Sequence, residues 1–293
     1  MATYTLTHSL TNLTHGNVSF TVAADVGYAL PSTVSVSNGT LVSYDNTTGI
    51  IVVSGDSAEI TVTCEEAIVI DPVLANNSWD VIKQVCQSGD AGDYWALGDE
   101  KNVTAGGYTR PVKLVHLGNI YGTKKAVFQF WYRTEANIVW DADNSNNVTT
   151  ADIWAALASG GTAYNELVDA DLGAQLTDTT VQVATSGTDG TITTLTGKLF
   201  LPAEKEITAS PSYSRSEERA VLTTFGYYAA NDSAATRVKH KASAPTATTS
   251  QIWWLRSPYS GYSVDVCYVN SSGDLNGGDA SSTDIGAAPC FAF

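Results

Sequence analysis

Residues 253–293 read WWLRSPYSGYSVDVCYVNSSGDLNGGDASSTDIGAAPCFAF, and the fold is decided here. The two ends are frame: Trp253, Trp254, Leu255, Arg256, Ser257 and Pro258 open the stretch, and Pro289, Phe291 and Phe293 close it. Between them lie Tyr, Ser, Gly, Asn and Asp, the composition of an antibody combining site. Tyr supplies contact area at low entropic cost, and Ser, Gly and Asn supply adaptable hydrogen bonds. Successive strand residues face opposite ways, so no more than one of Trp253 and Trp254 can lie at a surface. Arg256 is expected to bond loop carbonyls rather than a ligand. A fixed frame around a contact-making interior points to a binding protein.

The interior is also defined by what it lacks. From Pro258 to Pro289 there is no Lys, Glu, Gln, Trp or Met, types that fill 33 of the other 261 positions, so about four would be expected in 32 residues at uniform composition. None of the five has a codon ending in a pyrimidine. Asn, Ser, Tyr, Asp, Gly, Thr, Ile, Val, Ala and Cys all do, each one or two base changes from AAY. Adenine-directed mutagenesis of AAY codons leaves this residue set; a polar Gly/Ser loop in a β protein is the plainer alternative.

The run WWLRSP, then CYVNSSGDLN, then the ending G-x-x-P-x-F-A-F resembles the variable proteins of diversity-generating retroelements, of the phage major tropism determinant type. Matching segments upstream are Tyr94-Trp95-Ala96-Leu97-Gly98-Asp99 and Gly197-Lys198-Leu199-Phe200-Leu201-Pro202-Ala203-Glu204-Lys205-Glu206-Ile207. The resemblance spans roughly residues 76–293. It departs at Gly286-Ala287-Ala288-Pro289, where two alanines stand for the family's Val-Arg. It implies a C-type-lectin-like domain of the formylglycine-generating-enzyme-like superfamily, α+β in class, a frame role that puts both Trp253 and Trp254 mainly in the core, and a homotrimer as the assembly.

The first 67 residues alternate with period two, with turn chemistry at His15-Gly16-Asn17, Asn38-Gly39, Asp45-Asn46 and Gly55-Asp56. Six or so short strands there predict a compact all-β sandwich. The segment LTNLT…TVAADVGYALPSTVSVSNG resembles a small immunoglobulin-like spacer of Gram-positive surface and phage proteins. The expected organisation is an immunoglobulin-like module at 1–67, a linker at 68–78 and the lectin-like domain at 79–293, with a variable region at about 256–288. Ser78 before Trp79, Ile82, Val85 and Cys86, with Gly89 beyond, predicts a capped amphipathic helix. Strands are expected at 94–97, 112–116, 126–132, 137–140, 179–185, 191–201, 266–269 and 290–293. Helices are expected at 150–159, near 164–172 and from 216 to about 230, the last with Val221, Leu222 and Phe225 inward.

Net charge of −15 argues against nucleic acid or an anionic membrane as partner. No 18-residue apolar run occurs and the N-terminus has no signal-peptide pattern, so neither membrane insertion nor a signal peptide is expected. Synthesis in a bacterial cytoplasm and residence on a virion, tail or surface, fit these features. Cys64, Cys86, Cys267 and Cys290 have no metal-ligand spacing and are expected to be reduced.

Asp141, Asp143, Ser145, Asn147 and Asp152 fall at positions 1, 3, 5, 7 and 12 of an EF-hand-like loop, a spacing of hard oxygen ligands that could hold Ca²⁺. Asn146 replaces the turn glycine and the twelfth residue is a short Asp. The favoured reading is an Asp/Asn-rich loop capping the helix that follows, with no cofactor and Ca²⁺ as the alternative. Cys267 and Cys290 are the only counterparts to the cysteine pair of formylglycine-generating enzymes, and both read as buried structural cysteines. His8, His15, His116 and His240 pair with no nucleophile. No enzymatic activity is expected.

The expectation is a hypervariable receptor-binding protein that meets a bacterial surface protein or glycan through its C-terminal face. Other virion proteins would be met through the N-terminal module. Expected contacts are Tyr259, Ser260, Tyr262, Ser263 and Asp265 in one stretch, Asp274, Asn276, Gly277, Gly278 and Asp279 in the next, and Ser281, Ser282, Asp284 and Ile285 in the last. Tyr259 and Tyr262 would be the energetic anchors. The alternatives are a non-variable virion or surface decoration protein and a calcium-dependent glycan lectin.

Overall fold

The computed structural model describes residues 2–7, 16–55, 59–246 and 249–293. His8, His15 and Asp56, singled out above, lie outside them. The chain forms two compact units, Met1–Tyr94 and Trp95–Phe293.

In the first unit, Ala2–Thr7, Glu59–Cys64 and Val34–Ser37 form an antiparallel sheet with Glu59–Cys64 in the middle. Val18–Thr21, Ile50–Ser54 and Thr40–Asp45 form a second, with Ile50–Ser54 central. Each central strand turns alternate residues inward, Ile51 and Val53 from one and Ile60, Val62 and Cys64 from the other, and these share one core. The helix Trp79–Ser88 starts where Ser78 Oγ accepts the Val81 amide at 3.2 Å and ends at left-handed Gly89. Expected at the head of the second domain, it belongs instead with these strands. Gln84 exchanges two 3.1 Å hydrogen bonds with the Leu30 backbone, and Asn46 donates to Asp80. The unit boundary follows it, after Tyr94.

The second unit mixes short helices with several small sheets. One sheet runs in the order Cys290–Ala292, Lys124–Phe130, Tyr108–Ile120, Glu100–Ala105, antiparallel throughout. Another runs Leu275–Asp279, Asp265–Val269, Trp253–Pro258, Gly286–Ala287, its last pairing parallel. Thr179–Ala184 and Ile192–Gly197 make a hairpin. Seven helices among the described residues, from Ile153–Leu157 to Ala234–Arg237, are only four to six residues long. Helices this short draw their stability from packing. The core includes Val115, Val127, Phe200, Phe225, Trp253, Leu255, Cys267, Val269 and Cys290.

Three expected elements differ. Residues 94–97 are not a strand: Tyr94 closes the short helix Ala91–Tyr94, and the strand begins at Glu100. Residues 137–140 are irregular, because the Ile138 and Trp140 amides go to single carbonyls of Ile285 and Ala280 rather than to a ladder. The helix expected from 216 to about 230 is two, Ser216–Val221 and Gly226–Ala230. Phe225 is buried between them, whereas Val221, expected inward, is 45 % exposed.

Candidate binding face

The strand Trp253–Pro258 is buried along its whole length, with both of its own faces covered. Trp253 Nε1 donates to the Arg237 carbonyl on one side and Trp254 Nε1 to the Ile138 carbonyl on the other. Arg256 bonds the loop carbonyl of Leu201, as expected, but also the carbonyl of Gln182 in the strand Thr179–Ala184, and it forms a fully buried two-pronged pair with Glu206, at 2.6 and 2.5 Å. Burial opposes its charge, but Glu206 and Tyr121 more than offset this and hold the guanidinium above its ordinary pKa. Glu206 also accepts the Ala203 amide and the Tyr121 hydroxyl.

Two more carboxylates are buried, those of Glu204 and Glu218, and Ser257 joins the Glu204 backbone to the Glu218 carboxylate. Ser257 Oγ accepts the Glu204 amide at 2.9 Å and donates to Glu218. The Glu204 carboxylate takes the backbone amides of Ser212, Tyr213 and Ser214. The segment Leu201 to Ile207 therefore ties the frame strand to the loop that carries Tyr213. Burial raises the Glu218 carboxyl to about 7, against its bonds from Ser257 and the Ala184 amide.

Beyond the frame strand the chain turns into exposed loops. Tyr259 packs between Tyr213, ring centroids 5.4 Å apart, and Tyr262, 5.0 Å apart and edge-on. Tyr262 is 53 % exposed. Asp265 pairs across the strands with Asp279, and Cys267 with Gly277. Residues two apart share a face, so Asp265, Asp279 and Gly277 lie on the face where Tyr259 rests. A Cβ on Gly277 would lie 2.0 Å from the Tyr259 ring, so the absence of a side chain there makes room for the tyrosine. On the opposite face Tyr268 covers Gly278 in the same way and packs edge-on to Trp254.

Of the expected contacts, Ser263, Asp274, Asn276, Asp279 and Asp284 are exposed, and Ser260, Asp265, Gly277, Gly278, Ser281 and Ser282 half-buried. They do not form one patch. Asp274 sits at the turn where Asn270 takes the Ser272 and Asp274 amides, the far end of the hairpin from Asp265 and Asp279. Asn276 and Gly278 fall on the Tyr268 face. Ile285 is a correction: it is 3 % exposed, an apolar side chain entering the parallel strand Gly286–Ala287, and its carbonyl accepts the Ile138 amide.

In the EF-hand-like loop the side-chain oxygens take nearby amides. Asp141 accepts the Asp143 and Ser145 amides, Asp152 the Ala142 amide, and Asn147 the Thr149 amide and hydroxyl. No group of three His, Cys, Asp or Glu with metal-holding geometry occurs among the described residues. Asn146, at the turn-glycine position, is fully buried and braces the tyrosine loop. Its Nδ2 donates to the carbonyls of Tyr262 and Asp265 at 2.8 Å each, its own amide donates to Ser263, and its Oδ1 accepts the Gly187 amide. Gly187 has to be small, since a Cβ there would lie 2.1 Å from the Tyr259 and Tyr262 carbonyl oxygens. Asn144 Oδ1 in turn accepts the Ser281 amide. Asn146, Gly187 and Tyr213 all escape sequence reasoning; the one available signal was an asparagine where a loop of this spacing calls for glycine.

All four cysteines are free and buried. Burial pushes the Cys267 and Cys290 thiols well above their ordinary pKa, away from the thiolate that nucleophilic chemistry needs. No helix among the described residues is long and apolar enough to cross a membrane. Residues 161–293 match a family model described as a domain of unknown function, DUF6273. No curated protein and no solved structure matches the chain.

Proposed function

We propose that the unit Trp95–Phe293 is a C-type-lectin-like ligand-binding domain whose tyrosine-bearing face is diversified by a retroelement, in a tropism-determining protein of a phage or bacterial surface. The first unit is an immunoglobulin-like module that joins it to other virion proteins, and the ligand is a bacterial surface molecule bound without catalysis. One observation carries this reading: buried strands at 253–258 and 290–292 bracket a run whose polar residues and Tyr262 reach solvent, with the tyrosine loop held by Asn146 and the neighbouring Tyr213 loop held by Glu204. A packed scaffold beneath variable loops lets side chains change without unfolding the domain. One such face binds with modest affinity; display of many copies, as trimers on a virion, multiplies it.

The test is to sequence the 3′ end of the gene across one population. Substitutions gathered at the exposed positions, arising at template adenines and sparing residues 253–257 and 290–293, are the expected result. A 3′ end as invariant as the rest would remove diversification and leave a fixed binding or decoration protein. Alanine at both Tyr259 and Tyr262 is expected to lower ligand affinity at least about tenfold, since large aromatics dominate such surfaces.

A further inference from the structure

The tyrosine face carries an unusual charge arrangement. Asp265 and Asp279 lie directly opposite each other on neighbouring strands, and like charges so placed repel. Burial and Asp279 push the Asp265 carboxyl up, and no cation is among the groups that shift it. Arg215, on the adjoining loop, is already engaged by Glu217 at 2.8 Å and by the Gly187 carbonyl. Between Pro258 and Pro289 there are four aspartates and no Lys, Arg, His or Glu. The face thus places two carboxylates with no ion-pair partner among the described residues on the side of the hairpin where Tyr259 packs against Tyr213 and edge-on to Tyr262.

We propose that this face takes a basic protein segment, with an arginine lying on Tyr259 and Tyr262 and its guanidinium held by Asp265 and Asp279. Tyrosine faces attract cations. A planar guanidinium stacks on an aromatic ring while its fork of donors meets carboxylate oxygens, a combination that a compact ammonium matches less well. The inference rests on the tyrosine face being the binding face, and adds the chemistry of what it binds. The chain's net charge of −15 draws such a partner in at long range, and the tyrosine–aspartate pairing fixes where it docks.

Hexa-arginine is the probe, titrated by calorimetry into the full chain at about 0.15 M salt, where exposed long-range charge is largely screened. Asp265→Asn with Asp279→Asn, and separately Tyr262→Ala, are each expected to weaken binding about tenfold, because they remove the ion pairs and the stacked ring. The control is Asp171→Asn with Asp178→Asn, elsewhere on the same unit, expected to change it less than about twofold. Hexalysine is expected to bind more weakly than hexa-arginine. Equal loss in the control pair, or no loss in the face variants, overturns the proposal. A glycan array separates the two levels of inference. If a chitosan oligomer or a neutral glycan binds and is lost in Tyr262→Ala while hexa-arginine is not, the face is a binding face but the protein class is wrong. If Tyr262→Ala alters no probe, both fall.

Discussion

The side-chain amide of Asn146 donates to two carbonyls more than a hundred residues away, at Tyr262 and Asp265. Asn146→Ala takes the Nδ2 donor from the Tyr262 carbonyl and leaves the Asp265 carbonyl with the Tyr259 amide alone, a cost of about 1–3 kcal/mol in all. The expected outcome is faster hydrogen exchange at Gly187 and Gly261, with the amides of Lys124–Phe130 still protected. Arg256 and Glu206 set a larger scale: Glu206→Gln leaves a buried guanidinium uncompensated, and chemical denaturation is expected to show a loss of about 3–5 kcal/mol. Glu218 gives a pH signature. Its folded pKa of about 7 lies above the ordinary 4.5, so between those values the folded chain holds a proton that the unfolded chain has released. Its stabilisation is therefore complete below pH 4.5 and lost as pH rises through 7, by roughly 3 kcal/mol. Ser257, the Ala184 amide, Arg256 and Glu206 are the groups that act on it there. Glu218→Gln is expected to flatten the unfolding free energy between pH 4.5 and 7. At this scale the sequence was readable wherever a residue's role follows from its immediate neighbours. Adjacent Trp253 and Trp254 needed a covered sheet, and Arg256 beside Ser257-Pro258 needed carbonyls. Asn146 and Tyr213 were opaque because their partners lie on segments brought close only by folding.

The hairpin of Asp265–Val269 and Leu275–Asp279 joins two requirements that look separate in the sequence. Gly277 has to be small because Tyr259 rests on it. Gly277→Ala is expected to cost about 1–3 kcal/mol by overpacking. In a Tyr259→Ala background most of that cost disappears, and a double-mutant cycle on thermal stability measures the coupling. Strands with clear alternation or apolar runs, such as Thr179–Ala184 and Asp265–Val269, were legible almost to their ends. Residues 137–140 misled because their apolar spacing is that of a strand, while their amides are spent on isolated carbonyls. The apparent long helix at 216–230 failed at Thr223-Thr224-Phe225, where burying Phe225 outweighs helical continuity; the Phe225 amide goes to the Glu206 carbonyl instead.

At the scale of the whole molecule, the division into Met1–Tyr94 and Trp95–Phe293 predicts two transitions in a calorimetric melt. Glu206→Gln is expected to lower one and leave the other in place; a single transition that shifts as a whole would contradict two independent cores. The β character of the first unit was legible from period-two alternation, and so was the helix at Trp79–Ser88, from its cap and its glycine. Which unit that helix joins was not, because a cap marks where a helix starts and carries no information about the partner of its apolar face. Its attachment is decided by Leu30 and Asn46, far away in sequence.

The tyrosine resting on a glycine has a consequence for anyone building a combinatorial library on this scaffold. Positions 259 and 277 are not independent columns. A large ring at one restricts the other to glycine, and a side chain at 277 admits only a smaller or displaced residue at 259. Tyr268 over Gly278 couples a second pair more loosely, since a Cβ there would lie 2.8 Å from the ring. Randomising all four positions freely would fill much of the library with clones that cannot close the hairpin. Codons drawn in matched pairs would keep the diversity within sequences that fold.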